Sequence, residues 1–426
     1  MVAGEPSGDL LAARIIQGLH HALPDVVCQG IGGPAMQAKA FDAWFPMHAL
    51  SVFGYVDALK ALPRLMHTYL SVRQRWATDK PAVFVGIDAP DFNLRLEHYL
   101  KARGVPTVHF VGPSIWAWRY ERIHRIREAV SHMLVLFPFE EAMYQKEGVP
   151  VTYVGHPLAE LIPEQPQRLL SRELLGLDPD CRVLALLPGS RSSEVRLLAP
   201  RFLQAAQLLQ QQDPDLRIVV PMVNSERRHE FEQLLAQYPL RHCMIIGADT
   251  TQALHRTHKA SPLDHSIHAR RDGAQHINVH ESALLERAQW PAAWRAMEAC
   301  DALLVASGTA TLEAALFKRP MVISYVLSPM MRRIMAWKSG QERPYVPWVG
   351  LPNVLSRDFV VPELLQDEAT PQALAESTWT ALTDPVHRDR VTSQFERIHR
   401  DLSRDTPGLA AQAILKEIQN AGQFVL

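Results

Sequence analysis

The sequence predicts an α/β chain of two Rossmann-like, doubly wound domains with parallel sheets. Three observations carry that expectation. Short apolar, β-branched runs recur along the chain, each ends in Gly, Pro or Ser, and an amphipathic helical stretch usually follows. Continuously apolar strands are covered on both faces, and alternation with helices gives parallel pairing. At 426 residues the chain has room for two cores.

Taken in order, the runs of the first half are VVCQGIGG, AVFVGIDAP, TVHFVGPS, HMLVLFPF and VTYVGHP. Ahead of them, MVAGE leaves too little chain for an ordinary first strand, so that strand is a stub or begins elsewhere. Pro157, Pro163 and Pro166 then mark a boundary, giving a first domain over 1–165 and a second over 166–365. The second domain is read from RVLALLPGS, LRIVVPMV, HCMIIGAD, ALLVASG and MVISYVLS, with helices over Arg201–Gln211 and Glu226–Gln237. The tail, 366–426, is helical by periodicity, chiefly from Pro371 to Gln419.

Residues 250–289 lack a clear period and hold His255, His258, His265, His268, His276 and His280. The pairs His255–His258 and His276–His280 have helical metal-ligand spacing, but no carboxylate or cysteine pattern joins them. A solvated loop insertion is the expectation.

Bulk properties narrow the function. The net charge of -1 offers no basic excess for nucleic acid. Cys28, Cys181, Cys243 and Cys300 lie far apart without a CxxC, which argues against a disulfide framework or a cysteine zinc site and suits a reducing cytoplasm. No apolar stretch approaches the roughly 18 residues that span a bilayer. In MVAGEPSGDLLAARIIQ, Glu5 and Asp9 fall where a signal peptide would be basic and then apolar.

Ligands of open parallel sheets bind beyond the carboxyl ends of the strands. GEPSGD, GIGGP, IDAPD, GPSIWAW, FPFEE, GHP, LPGSR and SGTATLE all fall on that edge. Asp178-Pro-Asp180 and Asp213-Pro-Asp215 resemble metal-holding DxD pairs but precede strands, so they are expected to be turns. In LPGSRSSE, Gly189 and Ser190 sit where a strand feeds a helix, an anion-binding position, and Arg191 adds a forked donor. An ordinary turn with a solvated arginine fits equally well. SGTATLE repeats the logic with Ser307, Gly308 and Thr309, and Glu313 could hold two ribose hydroxyls or merely complement the helix dipole. Two such turns together favour a nucleotide diphosphate.

Asp88 and Asp91 flank a stiff Ala-Pro turn. Asp88 ends its strand directly and is expected to point toward substrate, whereas Asp91 is expected to cap the next helix. There is no Walker loop, GxGxxG fingerprint or GxSxG elbow, which removes the kinase, dehydrogenase and serine hydrolase readings. In residues 52–76, Leu59, Leu62, Met66 and Tyr69 share a helical spacing interrupted by Pro63 and edged by arginines. Such a face suits an anionic bilayer or a core. Arg119, Arg122 and Arg125 are placed on one helical face, as a phosphate patch or a solvated surface.

The set VAGEPSGD, GIGGPAMQ, GIDAPDFN, PSIWAWR, FPFE, VGHPL, LPGSR, SGTATLE and LPNVL, in this order, closely resembles the lipid A disaccharide synthase family along nearly the whole chain. The chain differs at Asp57, where the family pattern has Glu, and in an extra glycine within GIGGP. The resemblance implies two domains facing a cleft, the B-type glycosyltransferase architecture. It also implies transfer of 2,3-diacylglucosamine from UDP-2,3-diacylglucosamine to 2,3-diacylglucosamine 1-phosphate, with inversion, at the cytoplasmic face of the inner membrane, with no metal or cofactor. Asp88 would be the base and Arg191 the stabiliser of the leaving diphosphate. Gly189, Ser190, Ser307, Gly308, Thr309, Glu313 and, by resemblance, Asn353 would hold UDP. Glu5, Ser7, Leu62, Met66, Trp116, Arg119 and Arg122 are the candidates for the acceptor or membrane side. Other UDP-sugar enzymes of this architecture, an epimerase or hydrolase, and a non-catalytic lipid or nucleotide-sugar binder are the alternatives.

Overall fold

The computed structural model describes residues 1–50, 55–247, 279–328, 331–333 and 346–422. His255, His258, His265, His268 and His276 lie outside the described residues, as does the side chain of Leu62. The chain forms two compact units, Met1–Leu161 with Arg400–Leu426, and Ile162–His399.

In the first unit β1 (Val2–Ala3), β2 (Cys28–Gly32), β3 (Phe41–Pro46), β4 (Phe84–Ile87), β5 (Thr107–Phe110), β6 (His132–Val135) and β7 (Val151–Tyr153) form one parallel sheet. Its order is β3-β2-β1-β4-β5-β6-β7. The first strand is indeed a stub, and it is central: Val2 pairs with Ile31 on one side and Gly86 on the other. Strand order reverses between β1 and β4, so the switch point where such sheets take their ligands lies at GEPSGD and IDAPD.

Helix Pro6–Ala22 buries Ala12, Ile15, Ile16 and Leu19 in a core shared with Ala410 and Ile414 of helix Thr406–Asn420. Gly18 permits their close approach, since a Cβ there would lie 2.3 Å from the Pro407 carbonyl oxygen. The end of the predicted tail thus belongs to the first unit, while helix Pro371–Thr383 buries Leu374, Ala375, Ala381 and Leu382 in the second.

The second sheet has β8 (Val183–Leu187), β9 (Arg217–Pro221), β10 (Cys243–Ile246), β11 (Ala302–Ala306), β12 (Met321–Tyr325) and β13 (Glu363–Leu365) in the order β10-β9-β8-β11-β12-β13. Its switch point lies between β8 and β11, at LPGSR and SGTATLE. The helix expected from Arg201 begins at Ser192, directly after LPGSR, and carries Pro200 within it. Asp178 and Asp213 are turn formers, their Oδ1 atoms accepting the amides of Asp180 and Asp215 at 2.8 and 3.3 Å.

Three expectations change. Residues Val279–Ala288, counted in the predicted loop, form a helix that buries Leu284 and Arg287. Pro63 does not interrupt its helix, which runs from Tyr55 to Thr78. Arg119, Arg122 and Arg125 do not share one helix: Arg119, with φ +58, caps a 3-10 turn that Arg122 closes, and Arg125 lies in helix Ile123–Ala129.

Candidate active site

Asp88 follows β4 directly, with φ +52, and Ala89 follows with φ +39. Pro90, the first residue of helix Pro90–Lys101, disfavours the right-handed helical region for Ala89 only and by itself would leave it extended, so the left-handed values come from the contacts around the corner. Left-handed backbone costs an L-residue roughly 1–2 kcal/mol, so a corner with two in succession has to be held from outside. Holding it is the work of the first loop. Asp88 Oδ1 accepts the Gly4 amide at 2.9 Å and Oδ2 the Glu5 amide at 3.2 Å. Gly8 must be glycine, because a Cβ there would lie 1.7 Å from Asp88 Oδ2.

Burial pushes the Asp88 carboxyl up to about 7, against the Gly4 amide, which lowers it; the neighbouring Glu5 charge raises it further. A half-buried carboxyl that exchanges its proton near neutrality has the properties of a general base.

The same loop explains GIGGPAMQ. Asp9, buried, accepts the amides of Gly33, Ala35 and Met36 at 2.8, 2.9 and 3.1 Å. A Cβ on Gly33 would lie 2.5 Å from Asp9 Oδ2. GEPSGD and GIGGP are therefore two halves of one brace. Glu5, the N-cap of helix Pro6–Ala22, and Ser7 are both exposed at this edge.

Asp91 does not cap its helix by a side-chain hydrogen bond; Ala89 occupies the N-cap, and Asp91 pairs with Arg122 instead. Arg119 is exposed. Trp116 meets Phe139 edge-on with centroids 5.4 Å apart, and Phe139 stacks on Phe137 at 5.8 Å. Met66 projects into solvent at 48% exposure, as does Leu70 at 50%, whereas Thr68, Val72 and Trp76 of the same helix are buried.

In the second unit Gly189 has φ +118, and Ser190 and Arg191 lead into helix Ser192–Gln212. Their amides are not free. Glu194 Oε2 accepts from Ser190 at 3.0 Å and from Arg191 at 3.2 Å. A Cβ on Gly189 would lie 2.5 Å from Glu194 Cβ. An anion at this turn must displace or share that carboxylate, and the Arg191 side chain, 78% exposed and held to Glu194 Oε1 only at 3.5 Å, is the group placed to meet it. Glu194 was legible: a glutamate at the third helical position is the reciprocal half of a capping box.

Across the switch point, Gly308 has φ +154 and no atom within 4 Å of a Cβ built there, so a ligand can reach its backbone. Ser307 and Thr309 flank it, half-buried and exposed. Glu313 accepts a hydrogen bond from Trp294, and burial raises its carboxyl above the usual range. Asn353 is fully buried with its amide spent: Nδ2 donates to Val361 O at 2.8 Å and Glu363 Oε1 at 2.9 Å, and Oδ1 accepts the amides of Val360 and Val361. Glu363 in turn accepts the amides of Val349 and Gly350, both at 2.8 Å. Asn353 therefore builds this loop and has no group left to touch a nucleotide.

The model of the lipid-A-disaccharide synthetase family matches residues 1–262 and 268–414. A lipid-A-disaccharide synthase of Bordetella petrii is 64% identical over 421 residues, covering 99% of this chain and 98% of that one. Among solved structures, UDP-GlcNAc 2-epimerase from Neisseria meningitidis bound to UDP-GlcNAc superposes with TM-score 0.58 at 10% identity, over 97% of each chain. The calicheamicin glycosyltransferase does so with TM-score 0.51 at 13% identity, over 97% of this chain and 95% of that one. These last two likenesses are of fold.

Proposed function

The chain belongs to the lipid-A-disaccharide synthetase family and is a hexosyltransferase of lipid A biosynthesis, and on that premise we propose its reaction. It moves 2,3-diacylglucosamine from UDP-2,3-diacylglucosamine to the 6-hydroxyl of 2,3-diacylglucosamine 1-phosphate. One displacement forms the new C–O bond as the bond to UDP breaks, which inverts the anomeric centre from α to β.

Asp88 takes the proton of the attacking hydroxyl. The observation that carries this reading is its half-buried carboxyl, fixed by the Gly4 and Glu5 amides and raised to about 7. Such a group is ionised in part at neutral pH and basic enough to accept a proton.

The diphosphate charge that grows on departure is met by Arg191, the Gly189–Ser190 turn and the turn of Ser307, Gly308 and Thr309, which is open at Gly308. Glu313 holds the ribose. Asn353 contributes through the loop it builds with Glu363. These groups supply the charge stabilisation without a metal. Met66 and Leu70 rest on the cytoplasmic face of the inner membrane, where both acylated substrates reside, and Trp116 lies on the acceptor side.

UDP release from UDP-2,3-diacylglucosamine, measured with and without the lipid acceptor, tests the proposal. Release that requires acceptor and yields the disaccharide supports it. Equal release without acceptor would make the protein a hydrolase, and donor isomerisation without release an epimerase.

A further inference from the structure

Helix Pro90–Lys101 lays four fully buried residues on the sheet: Asn93, Leu96, Glu97 and Leu100. Two are polar, on a face where packing alone asks for apolar side chains. Asn93 Nδ2 donates to Val2 O at 3.2 Å, Ile87 O at 3.1 Å and Asp88 O at 2.9 Å, tying β1, β4 and the left-handed corner together. One turn on, Glu97 Oε1 meets His109 Nδ1 of β5 at 2.8 Å, with both side chains fully buried.

The neighbouring strand is shaped for this pair. Gly86 of β4 lies beside His109, and a Cβ on Gly86 would stand 2.2 Å from Glu97 Oε1 and 3.0 Å from Asn93 Cβ. Asn93 Oδ1, Glu97 Oε2 and His109 Nε2 have no hydrogen-bond partner among the described residues. A buried, half-satisfied polar cluster is a poor stabiliser, and apolar residues of similar volume commonly do as well or better. The cluster nonetheless reaches the residue read as the base, through the Asn93 bond to the Asp88 main-chain carbonyl.

We propose that Asn93, Glu97 and His109 are positioning residues for Asp88, holding its strained backbone and setting the charge its carboxylate faces. Asn93 grips the main chain of Asp88 and the strand before it. Glu97 Oε1 holds His109 at Nδ1, burial raises the Glu97 carboxyl while His109 lowers it, and positive charge on the imidazole favours the ionised form of Asp88. The other groups acting on this corner are Glu5, whose charge opposes ionisation of Asp88, the Gly4 and Glu5 amides, which favour it, and Lys101, which acts on Glu97. The inference rests on the transferase reading, and the test separates the two.

The full-length protein is assayed for disaccharide formation against pH, with melting temperature read in parallel. Asp88→Asn comes first: an active variant would overturn the transferase reading with Asp88 as base, and the inference with it. With that variant inactive, Glu97→Leu/His109→Leu is expected to melt at or above the wild-type temperature while kcat falls roughly 10-fold or more, the scale of lost orientation, at unchanged donor KM. Wild-type kcat in that folded variant overturns the positioning role and leaves the transferase reading intact. His109→Gln decides the matter where the double variant does not fold, since it keeps a donor toward Glu97 but carries no charge. Its acid limb of kcat/KM is expected at higher pH than wild type, and an unmoved limb with wild-type kcat overturns the proposal.

Discussion

The Gly4 amide donates to the Asp88 carboxylate at 2.9 Å across 84 residues of sequence, so the first loop and the end of β4 make one rigid corner. That corner sets a pH dependence. In the proposed reaction Asp88 acts as a base only when ionised, and burial raises its carboxyl to about 7, so kcat/KM should climb with pH through about 7 and level off above it. Asp88→Asn keeps the shape, cannot take the proton, and should cut turnover by roughly 10² or more while leaving donor affinity unchanged. Initial rates and UDP titrations check both; a full rate with Asn at this position would assign the base elsewhere.

How much of this was legible depended on where each signal lay. The ten continuous apolar runs all became strands, because a run covered on both faces announces itself. Edge strands β3 and β13 were missed: Glu363–Leu365 is three half-buried residues, and FDAWFP mixes an exposed aspartate with aromatics, so neither shows a run. Asp88, Arg191 and Glu313 could be named from their turns, but not the fate of the amides around them. Glu194 at the third helical position was a local signal, but nothing in LPNVL says that Asn353 is consumed by Glu363, and nothing in GEPSGD that Gly4 reaches Asp88. Those are tertiary contacts. The Asn93–Glu97 pair did leave a trace, two polar residues one turn apart on the apolar stripe of FNLRLEHYL, though its partner His109 lies on another strand.

In the nucleotide half, Arg191 and Glu313 should fail differently. Arg191 is mostly exposed and, in the proposed reaction, meets charge that grows as UDP departs, so Arg191→Ala should lower kcat more than donor affinity. Glu313→Gln should chiefly raise donor KM. Because burial raises the Glu313 carboxyl, donor binding to its ionised form should weaken as pH falls through that raised value. On the proposed assignment of Arg191 to the diphosphate, EDTA should leave turnover intact. Normal saturating turnover in Arg191→Ala, or a loss in EDTA restored by magnesium, would remove Arg191 from its role.

The helix Val279–Ala288 is part of the second unit's core and should not tolerate removal. Arg287 Nε donates to Glu298 Oε2 at 2.8 Å and its Nη2 to Oε1 at 3.1 Å, with both side chains buried. Arg287→Ala strands Glu298 as a buried charge, a loss of about 3–5 kcal/mol for a broken buried pair. Arg287→Met/Glu298→Gln should recover part of it. Urea unfolding measures both, and near-wild-type stability in Arg287→Ala would mean that Ser171 and the Gln167 amide, which also donate to Glu298, suffice to hold it.

The last prediction concerns the membrane. Met66 and Leu70 lie one turn apart on the helix Tyr55–Thr78, about half exposed, and Arg73, one turn beyond Leu70 on the same side, has its guanidinium 4.0 Å from the Tyr99 ring centroid. A solvent-facing apolar pair beside an arginine suits an anionic bilayer, with the apolar side chains entering the interface and the guanidinium meeting a headgroup phosphate. Met66→Ser/Leu70→Ser should therefore reduce sedimentation with anionic phospholipid vesicles and leave the melting temperature near wild type, since surface changes fall within about 0.5 kcal/mol. Val72→Ser, on the buried side, should do the reverse: burying a hydroxyl in place of a methyl group destabilises the first unit without touching the lipid-facing side. The wild-type association should also weaken as salt is raised, because part of it is electrostatic. Undiminished vesicle binding by the folded Met66→Ser/Leu70→Ser variant would move the membrane contact to another face.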